Sequence, residues 1–381
     1  MDTKNSGMER RHIVTLADIA ERCGVTKMTV SRALRYPDKQ RPELTARIRK
    51  VAKELGYDPD SNHSAQQLAM RKYGKGSING LIAVTFPHAY QKATYFLALH
   101  EGITEVLSDA GYGLLMVNTK QLESGLLPTP FRRGEIDGII TFERPECAMA
   151  VFDRLRQETP CGQPPTVSVI SPIENCSNIL ADYQQGASEA FAHLLELGHR
   201  YCLYIDGWAP NTSPTEGWMG YRHACETLGY DPDRHIFTVP FGHELWELAF
   251  RVENHPYLGI VAGDTQFMQH PIIEMLRNHP EITAILAPND ASAIICYHML
   301  QTAGYRVPED ISLIGYDDTD PLVQTRKQNV LTTVHMPLQA IGRAAAKLLV
   351  SRVTGEVEQD TTETLPTTLV VRETTAPARP R

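Results

Sequence analysis

The residues whose types and spacing suggest chemistry lie on one face of a short predicted helix near the N-terminus. The stretch GVTKMTVSRAL presents hydrogen-bond donors and one flexible apolar side chain with no obvious role in folding: Lys27, Met28, Thr29, Ser31 and Arg32. Arg and Lys donate to the O6 and N7 atoms of guanine, and Met offers apolar contact to the methyl group of thymine. Such a face suits the major groove of DNA.

Two short helices joined by a tight turn are predicted to position this face. Thr15 is suited to cap the first helix and Thr26 the second, because their hydroxyls accept the unpaired N–H groups of a first turn. Gly24 suits the left-handed residue that ends the first helix. Val30, on the opposite side of the second helix, is predicted to face inwards. The pattern indicates a helix-turn-helix, and a plain helical hairpin is the alternative.

A third predicted helix completes a head that spans residues 14–58. Pro42 begins it after a polar loop at 35–41, and its apolar residues recur at helical spacing. Four basic residues lie off this stripe and either contact phosphates or form a solvated surface: Arg47, Arg49, Lys50 and Lys53. Residues 59–76 form a linker with one short helix, which would be marginal alone in water and could order only against a partner or DNA.

The pattern changes beyond residue 77 to alternating strands and helices. One series begins with INGLIAVTF and a second with RYCLYID, and each reads as a parallel α/β layer. Two similar halves in succession predict two lobes with a cleft between them. We assign this body to residues 77–375, with flexible tails at 1–13 and 376–381. The late segments LTTVHM, LQAIGRAAAKLLVSRV and TTLVVRE are predicted to return to the lobes as crossovers.

The composition excludes several classes of protein. The chain has 381 residues, of which 42% are hydrophobic and 22% charged, as in a globular protein with several domains. It has no run of 18 apolar residues and no apolar core of a secretory signal, so we expect no membrane segment and a cytoplasmic location. Seven cysteines are scattered without a CxxC pair, which favours reduced thiols over a metal site.

The charge is divided unevenly along the chain. Residues 1–75 carry 16 Lys and Arg against 9 Asp and Glu, a net charge of +7, and the remaining residues carry 21 against 36, a net charge of −15. A basic head suits a polyphosphate, whereas an acidic body is repelled by one. The two parts are therefore expected to have different partners.

At the level of motifs, the chain resembles the lactose and galactose repressor (LacI/GalR) family of bacterial transcriptional regulators. The resemblance rests on VTLADIA, GVTKMTVSRAL, KELGY and SAQQLA in this order, and continues through DYQQGA, ELGHR, APNDASA, RVPEDISLIGYDD, LTTV and LVVRET. It covers residues 14–375. It implies a multidomain protein with an all-α helix-turn-helix head and a two-lobed, periplasmic-binding-protein-like α/β body with parallel sheets.

The resemblance also assigns DNA contacts. It places Lys27, Met28 and Arg32 at base-reading positions, with Thr26, Thr29 and Ser31 near phosphates or base edges. Arg35 stands where the family usually has Asn, and Thr15 completes the set expected on the head. Leu68 matches the hinge leucine that both subunits insert into the minor groove; the alternative is that it packs one hinge helix against its mate.

The cleft is the expected place for a ligand, because loops and helix starts converge at the C-terminal ends of parallel strands. Phe86, Asn289, Asp290 and Asp317 each follow a predicted strand. By resemblance, Asn289 and Asp317 match positions that hydrogen-bond sugar hydroxyls, and Phe86 lies in the first cleft loop. For Asp290 we favour a helix N-cap.

Two features of the cleft depart from the family. Gly217 stands where the family often has an Arg that anchors the effector, so the identity of the effector does not follow from the resemblance. The segment at 244–270 looks longer than usual and could form a lid. Both features lie in the second predicted lobe.

The leading interpretation is a DNA-binding transcriptional regulator, in the manner of a repressor. It would bind a palindromic operator as a homodimer under the control of a small, sugar-like effector, with no cofactor. A solute-binding protein without DNA function is the alternative, against which the basic head and the absent secretion signal argue. A sugar-modifying enzyme is a third possibility, but the sequence has no GxSxG motif, metal cluster or phosphate loop.

Overall fold

The computed structural model describes residues 14, 16–35, 41–55, 57, 78–86, 94–118, 122, 125, 127–159, 162–169, 171–206, 216–240, 242, 268–322 and 328–379. The chain divides into two units, residues 1–79 and 80–381. The predictions for Thr15, for the hinge with Leu68 and for nearly all of the segment at 244–270 lie outside the described residues. Of Arg35 and Gly217, only the helical backbone is described.

The first unit contains three helices: α1 (Leu16–Cys23), α2 (Lys27–Arg35) and α3 (Pro42–Glu54). Each helix contributes one fully buried branched side chain to a common core, namely Ile19, Val30 and Ile48. Gly24 ends α1 with a φ of 60°, the left-handed conformation that favours glycine. The predicted three-helix head is confirmed.

The second unit is an α/β body. Its strands are β1 (Leu81–Phe86), β2 (Gly113–Asn118), β3 (Gly138–Thr141), β4 (Thr166–Ser168), β5 (Ser177–Ala181), β6 (Cys202–Asp206), β7 (Ile236–Pro240), β8 (Ala284–Leu286), β9 (Ser312–Asp317), β10 (Thr332–His335), β11 (Thr362–Leu365) and β12 (Thr368–Val370). Its helices are α4 (Thr94–Asp109), α5 (Thr129–Arg132), α6 (Pro145–Glu158), α7 (Tyr183–Glu196), α8 (Glu216–Thr227), α9 (Pro232–His235), α10 (Pro271–Asn278), α11 (Asp290–Thr302) and α12 (Leu338–Thr354). Among the helices described, none is both long and apolar enough to cross a membrane.

The strands form two sheets with the same winding. Lobe 1 holds the order β11-β5-β4-β3-β1-β2, and lobe 2 holds β12-β10-β9-β8-β6-β7. All the described pairings are parallel except that of β12 with β10. Parallel sheets are covered by helices on both faces, which is why the β1 residues Ile82, Ala83 and Val84 are all fully buried.

The chain passes between the lobes three times: from β5 into α7, from β10 into α12 and from β11 into β12. The predicted return of the late segments to the lobes is therefore confirmed. Asp182 caps α7 by accepting the N–H of Gln185 at 2.9 Å. The Thr367 hydroxyl donates to the Asp182 carbonyl at 2.7 Å, so the first and third crossovers are bonded to each other.

Gly186, in the first turn of α7, lies where these crossovers meet. A Cβ at this position would be 2.5 Å from Thr367 Oγ1, 2.5 Å from Val334 Cγ1 and 2.7 Å from the Tyr316 hydroxyl. Thr367 follows β11, Val334 belongs to β10 and Tyr316 to β9. Glycine is thus required here by close packing, because no larger residue leaves room for these elements.

Residues 376–379 are bound to lobe 2, where the sequence analysis placed a tail. The carbonyl of Ala376 accepts from His199 Nε2 at 3.0 Å, and the N–H of Ala378 donates to the Leu197 carbonyl at 2.8 Å. Arg379 donates to the Pro280 carbonyl at 3.1 Å. The last described residues thus belong to the packed body.

Candidate functional site

The start of α2 is fixed by its capping threonine. The N–H of Thr29 donates to Thr26 Oγ1 at 3.3 Å, and the two threonine hydroxyls lie 2.9 Å apart. Thr26 is therefore the N-cap that the sequence predicted. This bond fixes Lys27 as the first residue of α2.

The two faces of α2 differ as predicted. Val30 and Ala33 are fully buried, whereas Lys27 and Arg32 are exposed and the Met28 side chain is 63% exposed. Thr29 and Ser31 are half-buried at the border. A large apolar side chain left in water at the first turn, between donors, has no role in the head's core. This surface can offer both polar and apolar contacts to a groove.

The basic residues of α3 lie on the outer surface of the head. Arg47, Arg49, Lys50 and Lys53 are all exposed. Lys50 is 4.0 Å from Glu54, an exposed pair of a kind that contributes little to stability. These side chains remain available to phosphates, as one of the two sequence interpretations required.

On lobe 1, aromatic and hydroxyl groups lie at the C-terminal ends of β1 and β3. The Thr85 hydroxyl donates to Thr141 Oγ1 at 2.9 Å, which ties β1 to β3 where the strand order changes direction. Phe86 is 2% exposed, and its ring packs edge-on against Phe96 at 5.3 Å. Phe86 thus belongs to the lobe's core at its cleft end, and its contact with a ligand stays a prediction.

Asn289, and not Asp290 as the sequence suggested, caps the helix that follows β8. Asn289 Oδ1 accepts the N–H of Ser292 at 2.8 Å, so Asn289 caps α11. The N-cap predicted for Asp290 is wrong, because Asp290 is the first residue of the helix and its carboxyl turns into the protein. The Asn289 NH2 group donates to no described residue and keeps its donors for another partner.

Asp290 holds the loop that follows β9. Its carboxyl accepts the Thr333 hydroxyl at 2.5 Å and the N–H groups of Thr319 at 2.9 Å and Asp320 at 3.4 Å. The residue is fully buried. Burial raises the pKa of Asp290 to about 8, against the opposing effect of the Thr333 hydrogen bond. Asp290 therefore fixes the loop after β9 from inside lobe 2.

Asp317 and Asp318 are adjacent carboxyls with different surroundings. Both have positive φ values, 101° and 58°, which turn the chain sharply at the end of β9. Asp318 pairs with Arg372 at 2.7 Å and with His335 at 3.3 Å. The Asp317 side chain forms no hydrogen bond to a described residue, and burial, Asp290 and Asp320 together raise its pKa well above the usual range. Asp317 is thus an enclosed carboxyl without a described donor, as a ligand contact requires.

The structure adds two residues that the sequence analysis missed. The Thr94 hydroxyl, at the start of α4 in lobe 1, donates to Asp320 Oδ1 in lobe 2 at 2.7 Å. The two residues are 226 positions apart in the chain, so no local sequence pattern predicts their hydrogen bond. A weak signal was present for Asp320, which lies in the same DDTD run as Asp317.

Two family models match separate parts of the chain. Residues 15–60 match the sequence model described as bacterial regulatory proteins, lacI family, and residues 191–375 match that of a periplasmic binding protein-like domain. The regulator CelR of Thermobifida fusca is 27% identical over 372 residues, 96% of this chain and 99% of the relative. The ribose operon repressor of Escherichia coli is 25% identical over 352 residues, 90% of this chain and 94% of the repressor.

Solved structures share the fold. A complex of the transcriptional regulator CelR with cellobiose has a TM-score of 0.59 at 23% identity, covering 95% of this chain and 99% of that one. The lac repressor dimer bound to operator and the anti-inducer ONPF has a TM-score of 0.62 at 22% identity, covering 96% and 100%. A helix-turn-helix head and a two-sheet α/β body are therefore common to all three proteins.

Proposed function

Because the chain belongs to the lacI family of bacterial regulatory proteins and is a DNA-binding transcriptional regulator, we propose that it represses transcription in the cytoplasm from a palindromic operator, under the control of a small polyhydroxylated effector. The observation that carries the proposal is the outer face of α2. There a capped, rigidly packed helix leaves Lys27, Met28 and Arg32 exposed in its first two turns. Because these side chains are exposed, packing among the described residues of the head does not account for this combination.

The side chains of α2 divide by chemistry into readers and anchors. Arg32 and Lys27 are the base readers for guanine, and Met28 supplies apolar contact to a thymine methyl. Thr26, Thr29 and Ser31 offer hydroxyls to phosphates or base edges, and Lys50 on α3 offers a charge to the backbone. Thr15, Arg35 and Leu68 complete the proposed DNA contacts on the strength of the family resemblance.

We propose that the protein acts as a homodimer. Two heads related by a twofold axis read the two halves of a palindrome, whereas one head makes few base contacts. On lobe 1, the α4 residue Leu97 is 58% exposed and the β2 residue Met116 is 40% exposed. Since β2 is the edge strand of its sheet, a second copy placed there would cover both side chains. A solved structure described as a lac repressor dimer bound to operator supports the dimeric state.

The effector proposed for the cleft is a neutral polyol of the sugar class. Asp317 needs donors and the Asn289 NH2 group needs an acceptor, and a sugar hydroxyl supplies either. Phe86 lies at the C-terminal end of β1 in lobe 1, as Asp317 lies at the C-terminal end of β9 in lobe 2. Relatives named for cellobiose and ribose support this class. Gly217 leaves the family's usual anchoring position without a side chain, so Asp317 and Asn289 carry more of the recognition.

Ligand and DNA are proposed to communicate through a shift between two lobe arrangements. One arrangement would bring the hinge segments of the two subunits together, so that they order and insert Leu68 into the minor groove. The other would separate them, and isolated short helices are unstable in water. By linkage, an effector that changes operator affinity must have its own affinity changed by the operator to the same factor.

The test is an anisotropy titration of the full-length dimer with its operator, taken from mapping of bound DNA, and with random duplex. Arg32→Ala should weaken operator binding by about 5- to 150-fold, equivalent to about 1–3 kcal/mol, and binding to random DNA far less. The matched control Lys50→Ala removes a charge from the same head and should weaken both DNAs alike. Equal losses for Arg32→Ala on both DNAs would contradict base reading by α2.

A further inference from the structure

A hydrogen bond crosses from lobe 1 to lobe 2 outside the three crossovers. Thr94 is the first residue of α4, and its hydroxyl donates to Asp320 Oδ1 at 2.7 Å. Both residues are half-buried. Thr94 uses its hydroxyl to reach the other lobe, and it makes no other side-chain hydrogen bond to a described residue. The bond is of the strong type, because a carboxyl oxygen is the acceptor.

The lobe 2 end of this bond is rigidly held. Asp290, fully buried, accepts the N–H groups of both Thr319 and Asp320. Asp318, one residue after β9, is paired with Arg372, which also donates to the Leu331 carbonyl at 2.7 Å. The loop that carries Asp320 is therefore fastened to lobe 2 at three successive residues, and it cannot follow Thr94 by itself.

The lobe 1 end is rigidly held as well. Helix α4 crosses α12 so closely that a Cβ on Gly102 would collide with the carbonyl oxygen of Gln339, and one on Gly342 with that of Leu99. Arg343 on α12 also pairs with Glu105 on α4 at 3.1 Å. Two helices in backbone contact move as one body, so Thr94 follows the position of lobe 1.

We propose that the Thr94–Asp320 hydrogen bond is an inter-lobe clasp that holds the lobes closed and thereby sets the response to the effector. Since both ends are fixed to their lobes, the bond breaks only when the lobes move apart. Asp317, the proposed ligand contact, is the last residue of β9 and lies three residues before Asp320. A ligand held by Asp317 would therefore bind next to the loop that carries the clasp. Thr94 and Asp320 are positioning residues, and the consequence for the effector rests on the function proposed above.

The clasp can be tested without knowledge of the effector, by measuring the distance between the lobes. Nitroxide labels at Asp109→Cys in lobe 1 and Glu309→Cys in lobe 2, both exposed positions, report this distance by pulsed electron paramagnetic resonance. The full-length chain is used with Cys147 and Cys161 replaced by serine. Labelled chains are diluted with excess unlabelled chains, so that distances between two subunits of a dimer do not contribute.

Thr94→Val removes the hydroxyl and keeps the shape, and it should lower the ratio of closed to open lobes by about 10-fold, the effect of one charge-assisted hydrogen bond. Thr94→Ser keeps the hydroxyl and should match the wild type. Thr104→Val is the matched control, because the Thr104 hydroxyl on the same helix bonds only within α4, to the carbonyls of His100 and Glu101.

An unchanged distance distribution in Thr94→Val would overturn the clasp, and so would an equal change in Thr104→Val. The proposed function is tested separately by titrating the unlabelled wild type with operator. If the wild type failed to bind operator while Thr94→Val still opened the lobes, the clasp would stand and the proposed function would fall.

Discussion

Replacing Gly186 by alanine should destabilise the body by an amount that the structure allows one to estimate. The new Cβ would lie 2.5 Å from Thr367 Oγ1 and Val334 Cγ1, whereas ordinary van der Waals contacts begin at 3.4 Å. Each neighbour must therefore move by about 1 Å, and overpacking of this kind costs about 1–3 kcal/mol. If Thr367 moves, its hydrogen bond to the Asp182 carbonyl is lost at a further cost of about 1 kcal/mol.

The expected total is a loss of about 2–4 kcal/mol in the free energy of unfolding. For a body of this size it corresponds to a fall in Tm of about 4–8 °C. Scanning calorimetry of the full-length chain measures it directly. A double-mutant cycle adds specificity: Val334→Ala should cost less in a Gly186→Ala background than alone, because the smaller side chain relieves the collision.

Gly113→Ala is the matched control. A Cβ at Gly113 would meet Leu81 Cδ1 at 3.4 Å and the Gly80 carbonyl at 3.5 Å, which are ordinary contacts. Because alanine also restricts the unfolded chain, this change should leave Tm unaltered or raise stability by about 0.4–1 kcal/mol. If Gly186→Ala kept the wild-type Tm, or if both variants fell equally, the reasoning from packing at the crossovers would be refuted.

Three further outcomes are expected. Thr26→Ala should lower the stability of the head by about 1 kcal/mol through loss of the N-cap bond to Thr29, seen as faster hydrogen exchange in α2, while Thr26→Ser should not. Burial lowers the pKa of His199, so its contribution to stability is present above its ordinary pKa of 6.5 and is lost as the pH falls. The difference in unfolding free energy between the wild type and His199→Gln should therefore shrink as the pH falls from about 7.5 to about 5. A difference that stayed constant over this range would contradict the prediction. The pKa of Asp317 is raised by burial and by the neighbouring Asp290 and Asp320, so wild-type stability falls as the pH rises above the ordinary range of an Asp carboxyl. In urea titrations Asp317→Asn should therefore gain stability relative to the wild type as the pH rises, while ligand binding weakens and operator binding is kept.

The elements that the sequence predicted are those encoded by local periodicity. The head follows from the capping Thr26, a glycine turn at Gly24 and apolar residues at helical spacing, all within about 45 residues of chain. The buried strand β1 was recognisable because LIAVTF is apolar almost throughout, as expected of a strand covered on both faces. In both cases the signal and the structure lie in the same short segment.

Other elements depend on partners far along the chain. Strand β11, TETL, is mostly exposed and polar, and it is a strand because it pairs with β5. The sequence analysis also did not identify strand β5 and helix α6, although both fit the predicted alternation of strands and helices. A segment whose structure comes from pairing carries little local pattern to read.

The cleft shows the same limit at single residues. Asn289 and Asp290 are both good N-caps, and the sequence does not decide which of two neighbours precedes the helix. The choice is made by Thr333, Thr319 and Asp320, which supply donors to Asp290 across at least 29 residues of chain. Asp317 was predictable as a residue after a strand, but its lack of a described partner was not.

The late return of β11 to lobe 1 has a consequence for synthesis of the protein. Lobe 1 begins at β1 but lacks its edge strand β11 and the covering helix α12 until residue 365 has been made. At about 5–20 residues per second, the ribosome needs about 10–40 s to travel from the end of β5 to the end of β11. During that interval the head, whose three helices end at Glu54, is already complete, while lobe 1 is not. A prematurely terminated chain would thus carry the proposed DNA-binding surface of the head without the body that is proposed to bind the effector.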